Sequence, residues 1–330
     1  MRILVIRFSS IGDIVLTSPV VRALRLQLGA EVHFLTKPQF GGLLIASPYL
    51  HRIHLLQNDF SETARKLHDC RFDHVIDLHN NLRTWRLRAS LSAPTWHRFD
   101  KLNVEKWLLV NLKLDRLPPV HIVDRYLAAV STLGITNDGA GLDYFIPEET
   151  VWPEAIAHLN EQRFIAVAVG AAHATKQIPV EKLKTILEMV PVPVVLLGGP
   201  GDRERAAEIT RITRGDLYDL CGTTSLHQSA LVVRRAACLL TPDTGLMHIA
   251  AALETPIVSV WGNTVPEFGM YPYRPDAPAA YSVHEVAGLR CRPCSKIGHA
   301  SCPKGHFRCM MDQHSVEISE RIMDYVREVG

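Results

Sequence analysis

The stretch Leu239–Gly262, LLTPDTGLMHIAAALETPIVSVWG, decides how the chain is read. The apolar run Ala237–Thr241 predicts a buried strand, Thr244–Leu253 a short helix and Pro256–Trp261 a second strand, with a tight turn after the first. Thr244 and Gly245 fall at the helix start, where backbone N–H groups lack partners within the helix. Free donors and the helix dipole make such a terminus attractive to anions. His248 lies one turn after Thr244 and projects from the same side. Asp243 closes the strand, where it would accept ribose or sugar hydroxyls. The plainer alternative makes Asp243 a helix N-cap and His248 a satisfied surface histidine.

The same alternation runs through the whole chain. Arg2–Phe8, RILVIRF, is a continuous apolar run suited to the centre of a parallel sheet. Ser9, Ser10 and Gly12 then make a small-residue turn, and Ile14, Val15, Val20, Val21, Leu24 and Leu28 give a helical apolar stripe. Pro19 either kinks that helix or, with Ser18 as N-cap, begins a new one. Asp13 sits where the turn meets the helix, at the carboxyl end of the first strand, which is the edge where open α/β sheets bind ligands. It is either a functional carboxylate or simply a charge favoured by the helix dipole. Strands follow at Glu31–Leu35, Arg52–Leu55 and His74–Leu78, with a helix at Ser61–Leu67. Next comes a basic helix with Arg83, Arg86 and Arg88 around Trp85, either an anion-holding patch or a solvated face. Helices at Glu105–Leu112 and His121–Leu133 complete a first domain.

Gly139–Trp152 is the best linker, and beyond it the pattern restarts. Strands are expected at Phe164–Val169, Pro193–Leu197 and Leu217–Leu220, and helices at Val180–Met189, Arg203–Ile212 and Ser225–Arg235. The chain therefore reads as two successive doubly wound α/β domains. Two such domains offer two ligand-binding edges and a cleft between them. Asp13 would enter it from the first domain. Lys176, Asp243, the Thr244–Gly245 helix start and His248 would enter from the second. A carboxylate set against an anion-binding surface suits a reaction that takes a proton from a nucleophile while expelling a phosphorylated leaving group. No P-loop pattern and no complete G-x-G-x-x-G in a strand-to-helix context are present, which weakens kinase and dehydrogenase readings.

Composition agrees with a globular protein of two domains: 330 residues, 47% apolar, 21% charged and a formal charge of +2. That charge is too small to argue for a nucleic-acid partner. No apolar run approaches the roughly 20 residues of a membrane span, and Ile3–Ile6 is too short for a signal-peptide core. A cytoplasmic protein is expected. Of the seven cysteines, Cys70, Cys221 and Cys238 lie singly in apolar surroundings. Cys291, Cys294, Cys302 and Cys309 crowd into one segment, with His299 and His306 interleaved. That segment would either hold a structural zinc or form a reduced or disulfide-pinned lobe. Arg290, Arg292, Lys296, Lys304 and Arg308 make it basic, which suits contact with anionic lipid or acceptor phosphate. A closing helix, Val316–Val326, follows.

Four segments carry a family resemblance: RILVIRFSSIGDIVLTSPVVRAL, GAAHATKQIPVEKL, TPDTGLMHIAAALETPIVSVWG and CRPCSKIGHASCPKGHFRCM. Together they resemble the heptosyltransferases of lipopolysaccharide inner-core synthesis, glycosyltransferase family 9, from residue 1 to about 312. The chain departs from the family pattern at Ile178, where many members have tryptophan, and in FGMYPYRP. The resemblance implies a GT-B fold, with an acceptor domain over 1–150, a nucleotide-sugar donor domain over 151–312 that carries the Cys-rich basic segment 290–309, and a helix over 313–330 packing back across the domains. It implies inverting transfer of a sugar, typically heptose from an ADP-activated donor, to a lipid-linked core saccharide. Asp13 matches the catalytic base and Lys176 the diphosphate-contacting lysine. Asp243, Thr244, Gly245 and His248, with Gly12 and Thr175, match donor-binding positions, and Ser10 and Arg83 are the acceptor-side candidates. No cofactor is implied for catalysis, and the cytoplasmic protein would meet the inner face of the bacterial inner membrane. The alternatives are a member using another nucleotide sugar, a non-catalytic nucleotide-sugar-binding module, or an epimerase. The DTGLMH turn, in place of an acidic cluster, speaks against the epimerase.

Overall fold

The computed structural model describes residues 1–91, 93 and 95–328. The chain divides into two compact units, Met1–Leu102 with Val120–Pro147, and Asn103–Pro119 with Glu148–Gly330. Residues 329 and 330, the end of the expected last segment, lie outside the described residues.

In the first unit β1 (Arg2–Ile6) leads into α1 (Ile11–Val15) and α2 (Ser18–Leu28), followed by β2 (Glu31–Thr36) and β3 (Arg52–Leu55). Then come α3 (Phe60–His68), β4 (His74–Asp77), α4 (Leu82–Ser90) and β5 (Thr95–Arg98). The helix α5 (Asn103–Leu112) belongs to the second unit, and α6 (Ile122–Ala128) returns to the first. The five strands are parallel in the order β3-β2-β1-β4-β5. Residues Ile3 to Ile6 of β1 are fully buried, as a continuous apolar run demands. Leu4, Ile6 and Phe8 pack with Leu35, Leu67, Phe72, Val75 and Leu87, each such burial contributing about 1.5–3 kcal/mol.

Three expectations change here. Pro19 does begin a new helix, but Thr17, not Ser18, is its N-cap. The strand β5 escaped notice because TWHR is short and polar and earns its place only by pairing with β4. Residues 103–119, expected in the first domain, cluster with the second unit, because Leu109, Val110 and Leu117 pack against Val265 and Phe268.

The second unit holds β6 (Ile165–Ala168), α7 (Val180–Leu187), β7 (Val194–Leu197), α8 (Arg203–Ile212), β8 (Leu217–Asp219) and α9 (Leu226–Arg235). It continues with β9 (Leu239–Pro242), α10 (Gly245–Ala252), β10 (Ile257–Trp261), β11 (Tyr281–Glu285), α11 (Arg308–Met311) and α12 (Ser315–Glu328). The six strands are parallel in the order β11-β10-β9-β6-β7-β8. In chain order this is the doubly wound pattern that reverses direction between its first and fourth strands. The apolar stripe Ile318, Ile322, Tyr325 and Val326 of α12 joins the core of this unit beside α7. Ile178 is buried in the same core.

Candidate active site

Each sheet has one switch point, where connections from two adjacent central strands leave in opposite directions and open a crevice at the carboxyl ends. In the first unit it lies between β1 and β4, and in the second between β6 and β9. The residues singled out from sequence cluster at these two places.

Beyond β1, Ser10 is the N-cap of α1, and the carboxylate of Asp13 reaches back to it. Oδ2 of Asp13 accepts from the Ser10 N–H at 3.1 Å and from the Ser10 hydroxyl at 2.7 Å. Oδ1 meets the Arg7 guanidinium at 2.5 Å, with the Asp13 side chain 19% exposed. Burial by itself would raise this carboxyl. The charge of Arg7 and the two Ser10 bonds outweigh it and hold Asp13 at about 2. Arg7 is held by the Ser9 carbonyl at 2.9 Å and by the Leu78 carbonyl, and it lies over the Tyr126 ring at 5.9 Å. Sequence reasoning gave Arg7 no role within the run RILVIRF. A lone cation at the end of a buried strand was the signal, since burial obliges it to find an anion.

Beside it, at the end of β4, Asp77 accepts from the backbone N–H groups of His79 and Asn80 at 3.0 and 2.6 Å, while its other oxygen is buried without a hydrogen bond. His79 packs on Phe8, and burial together with the charge of Arg7 pushes it down to about 3, so it is neutral. Gly12 is buried in the first turn of α1. Arg83 is exposed on α4, whose N-cap is Asn81.

The second crevice is built on β9. Thr244, not Asp243, caps α10, its hydroxyl accepting from the Met247 N–H at 3.4 Å and bonded to Thr241 at 3.0 Å. The N-cap alternative for Asp243 is thereby corrected. Asp243 is free to bind Lys176 at 2.6 Å and to accept from the Thr264 hydroxyl at 3.0 Å. The two charged side chains are 15% and 13% exposed. His248 is 2% exposed, which excludes the surface-histidine alternative. Gly245 is the first residue of α10.

Lys176 ends a short 3-10 turn, Ala174–Lys176, after β6. Thr175 is buried, and its hydroxyl donates to the His299 carbonyl at 3.1 Å and accepts from the His299 N–H at 2.8 Å. It therefore clamps the Cys-rich segment to the lysine turn. A Cβ at Gly262 would meet the Thr175 carbonyl at 2.9 Å, so only glycine lets the end of β10 approach this turn. Next to it Asn263, 1% exposed, has neither amide atom hydrogen bonded, a donor and an acceptor that sequence reasoning did not single out.

The Cys-rich segment frames the same unit. Arg292 is bound to the Gly262 and Thr264 carbonyls at 2.6 and 3.0 Å and to Glu285 at 2.6 Å. This arginine, one of the five basic residues, is thus spent inside the protein. Lys113 reaches the Pro293 carbonyl at 2.6 Å. All seven cysteines are free, so the lobe is not pinned by a disulfide. Burial, with the neighbouring Cys294, Cys302 and Cys291, pushes Cys309 up to about 11.

The model of glycosyltransferase family 9 (heptosyltransferase) matches residues 61–299. The chain belongs to that family. It is a glycosyltransferase. The lipopolysaccharide heptosyltransferase 2 of Salmonella typhimurium is 24% identical over 368 aligned positions, covering 100% of both chains. A family 9 glycosyltransferase from Veillonella parvula superposes with a TM-score of 0.77 at 20% identity, covering 99% of this chain and 97% of that one. The ADP-heptose lps heptosyltransferase II of E. coli superposes with a TM-score of 0.69 at 21% identity, covering 99% of each. The fold is thus GT-B, as the resemblance implied, with two Rossmann-like parallel sheets. No helix among the described residues is long and apolar enough to cross a membrane.

Proposed function

We propose that this family 9 enzyme is an inverting heptosyltransferase that moves heptose from ADP-heptose to a hydroxyl of a lipid-linked inner-core saccharide. The acceptor oxygen attacks the anomeric carbon as the bond to the diphosphate breaks. The acceptor proton passes to Asp13, and the bonding electrons leave with the diphosphate. A carboxylate held at about 2 is a weak base. It takes the proton late, once bonding to the oxocarbenium-like centre has made the hydroxyl acidic. Lys176 and the N–H groups at the start of α10 meet the charge that grows on the leaving group, the work a metal ion does in other enzymes. Thr244, Gly245 and His248 belong with the donor, and Ser10 and Arg83 with the acceptor. Gly12 and Thr175 act by shaping the two turns.

The observation that carries this reading is the Lys176–Asp243 pair at 2.6 Å beside the N-terminus of α10 at the second switch point. A fixed cation, a hydroxyl-accepting carboxylate and open helix donors there match the parts of a nucleotide-sugar diphosphate. Exposed Arg290, Lys296, Lys304 and Arg308 favour contact with an anionic membrane surface, which would place the enzyme where its acceptor is, at the inner face of the bacterial inner membrane.

Calorimetry with ADP-heptose, alongside transfer to a core acceptor, tests the assignment on wild type and Asp13→Asn. Retained donor binding with turnover reduced about 10²–10⁴-fold is expected. Preference for a different nucleotide sugar would replace the donor, and binding without transfer by the wild type would make the protein a sensor.

A further inference from the structure

Among the described residues, the side chains that gather as metal ligands do so around His33, in the first unit and away from the cysteine-rich lobe. Register sets His33 beside Arg52 and Leu35 beside His54. Side-chain alternation then puts His33, Leu35 and His54 on one face of the sheet. That face is covered by α3, since Leu35 packs with Ala64 and Leu67. Cys70, just past the end of α3, reaches the same place from a third element. The ligand atoms of His33, His54 and Cys70 lie within 4.8 Å of one another. His33 Nδ1 is 2.8 Å from His54 Nε2.

The far side of the His33 ring is equally organised. Its Nε2 meets Glu31 Oε1 at 3.1 Å. This contact favours the tautomer with the proton on Nε2 and the lone pair of Nδ1 aimed at His54. A carboxylate behind the far nitrogen is the partner that orients a metal-binding histidine and raises its basicity. Phe72 stands edge-on to both rings, 5.1 Å from His33 and 6.2 Å from His54, and makes an apolar wall.

We propose that His33 Nδ1, His54 Nε2 and Cys70 Sγ hold one divalent transition-metal ion of the zinc class, with Glu31 orienting His33 and a water completing the tetrahedron. Two imidazoles and a thiolate select borderline-soft ions over calcium or magnesium, which take oxygen ligands. Bond lengths of about 2.0–2.1 Å to nitrogen and about 2.3 Å to sulfur put tetrahedral neighbours about 3.3–3.6 Å apart. The two rings would therefore open by about half an ångström from their present contact, and the thiol would close by at most about 1.2 Å.

The ligand chemistry suits a transition-metal ion although two arginines stand nearby. With Glu31 on Nε2 of His33, the Nδ1 lone pair faces His54 and is open to a metal ion. The Cys70 thiol would release its proton on coordination. Arg2 is already matched by Glu31 at 3.2 Å and by the Cys70 carbonyl at 3.2 Å. Arg52 opposes the ion, and the thiolate formed on coordination offsets it. None of these residues has a part in the sugar transfer proposed above. Their common effect would be to tie the edge strand β3 to β2 and to the loop entering β4.

The test is a Zn²⁺ titration of the reduced full-length protein against a chromogenic chelator, for wild type, Cys70→Ser and His54→Gln. The four lobe cysteines are present in every sample, so zinc held there is common background. Each variant should lose one equivalent of tight zinc, a larger effect than the about 10–100-fold weakening expected when only an outer partner is removed. Glu31→Gln should show that smaller weakening. Co²⁺ gives a second readout, a thiolate charge-transfer band whose wild-type minus Cys70→Ser difference is the contribution of one thiolate above the lobe background. Equal zinc stoichiometry and affinity in wild type and Cys70→Ser would overturn the site, as would a wild type that takes up no zinc. Circular dichroism excludes misfolded samples, and if His54→Gln fails to fold, Cys70→Ser decides.

Discussion

Lys176 is bound to Asp243 while also being the cation proposed to meet the departing diphosphate, so its removal should act on stability and on catalysis through separable routes. At 2.6 Å two unit charges attract by about 6 kcal/mol at an effective dielectric near 20, and desolvation takes most of this back. Removing one partner of a fully buried pair costs about 3–5 kcal/mol, because the other charge is left uncompensated. With side chains 15% and 13% exposed, and Thr264 still donating to Asp243, about 2 kcal/mol is the expected cost of Lys176→Met. For a unit of this size that lowers Tm by about 4–8 °C. Adding Asp243→Asn removes the orphaned charge and should restore most of the Tm. Turnover should behave differently. Loss of a preorganised group facing developing charge costs about 10²–10³ in kcat, and the double variant should stay as slow as Lys176→Met or slower. Thermal unfolding and steady-state transfer on the three variants check this. Recovery of turnover together with Tm in the double variant would show that Lys176 only neutralises Asp243, and would refute the leaving-group role.

Arg7→Met should expose the acid limb of the pH–rate profile. With Arg7 present Asp13 is held at about 2, so the base is ionised wherever the protein is folded. Without the cation only the two Ser10 bonds oppose burial, and a rise of about 1–3 units puts the limb in kcat/KM near pH 3–5. An unchanged limb would show that Asp13 is not the titrating base. The same depression predicts acid sensitivity. The stabilisation is present above the ordinary carboxylate value, near 4, and is lost as pH falls through about 2, so Arg7→Met should show a weaker pH dependence of unfolding in that window. Arg22 binds Asp138 through two bonds of 2.7 Å and also binds Asp143 and the Gly141 carbonyl, with its side chain 5% exposed. Arg22→Met should destabilise the first unit by about 2–4 kcal/mol, below the cost of a fully buried pair because Asp138 is 33% exposed, and speed hydrogen exchange across 138–143. Unchanged exchange there would mean that the loop is held by other contacts.

Local pattern carried a large part of this protein. Continuous apolar runs such as Ile3–Ile6 and Val194–Leu197 specify strands buried on both faces, and the periodic stripes between them specify covering helices. Small polar residues after strands marked both switch-point turns, which is why Asp13, Lys176 and the Thr244–Gly245 start were legible. What pattern could not supply was pairing between distant residues. Nothing local assigns Thr244 over Asp243 as the cap, joins Asp243 to Lys176 across 67 positions of chain, or gives Arg7 its carboxylate. Strands β5 and β11 have mixed sequences and exist only because a neighbour offers a free edge. The segment 103–119 follows the packing of Leu109 on Val265 and Phe268, which its neighbours in sequence do not reveal. The gathering of His33, His54 and Cys70 is the extreme case, since it needs the register of β2 on β3 and the exit of α3 together. The sequence by itself determined the elements and the edges at which chemistry is possible. Tertiary structure decided which charges meet, because burial leaves each charged or polar group dependent on partners that only the folded chain brings within reach.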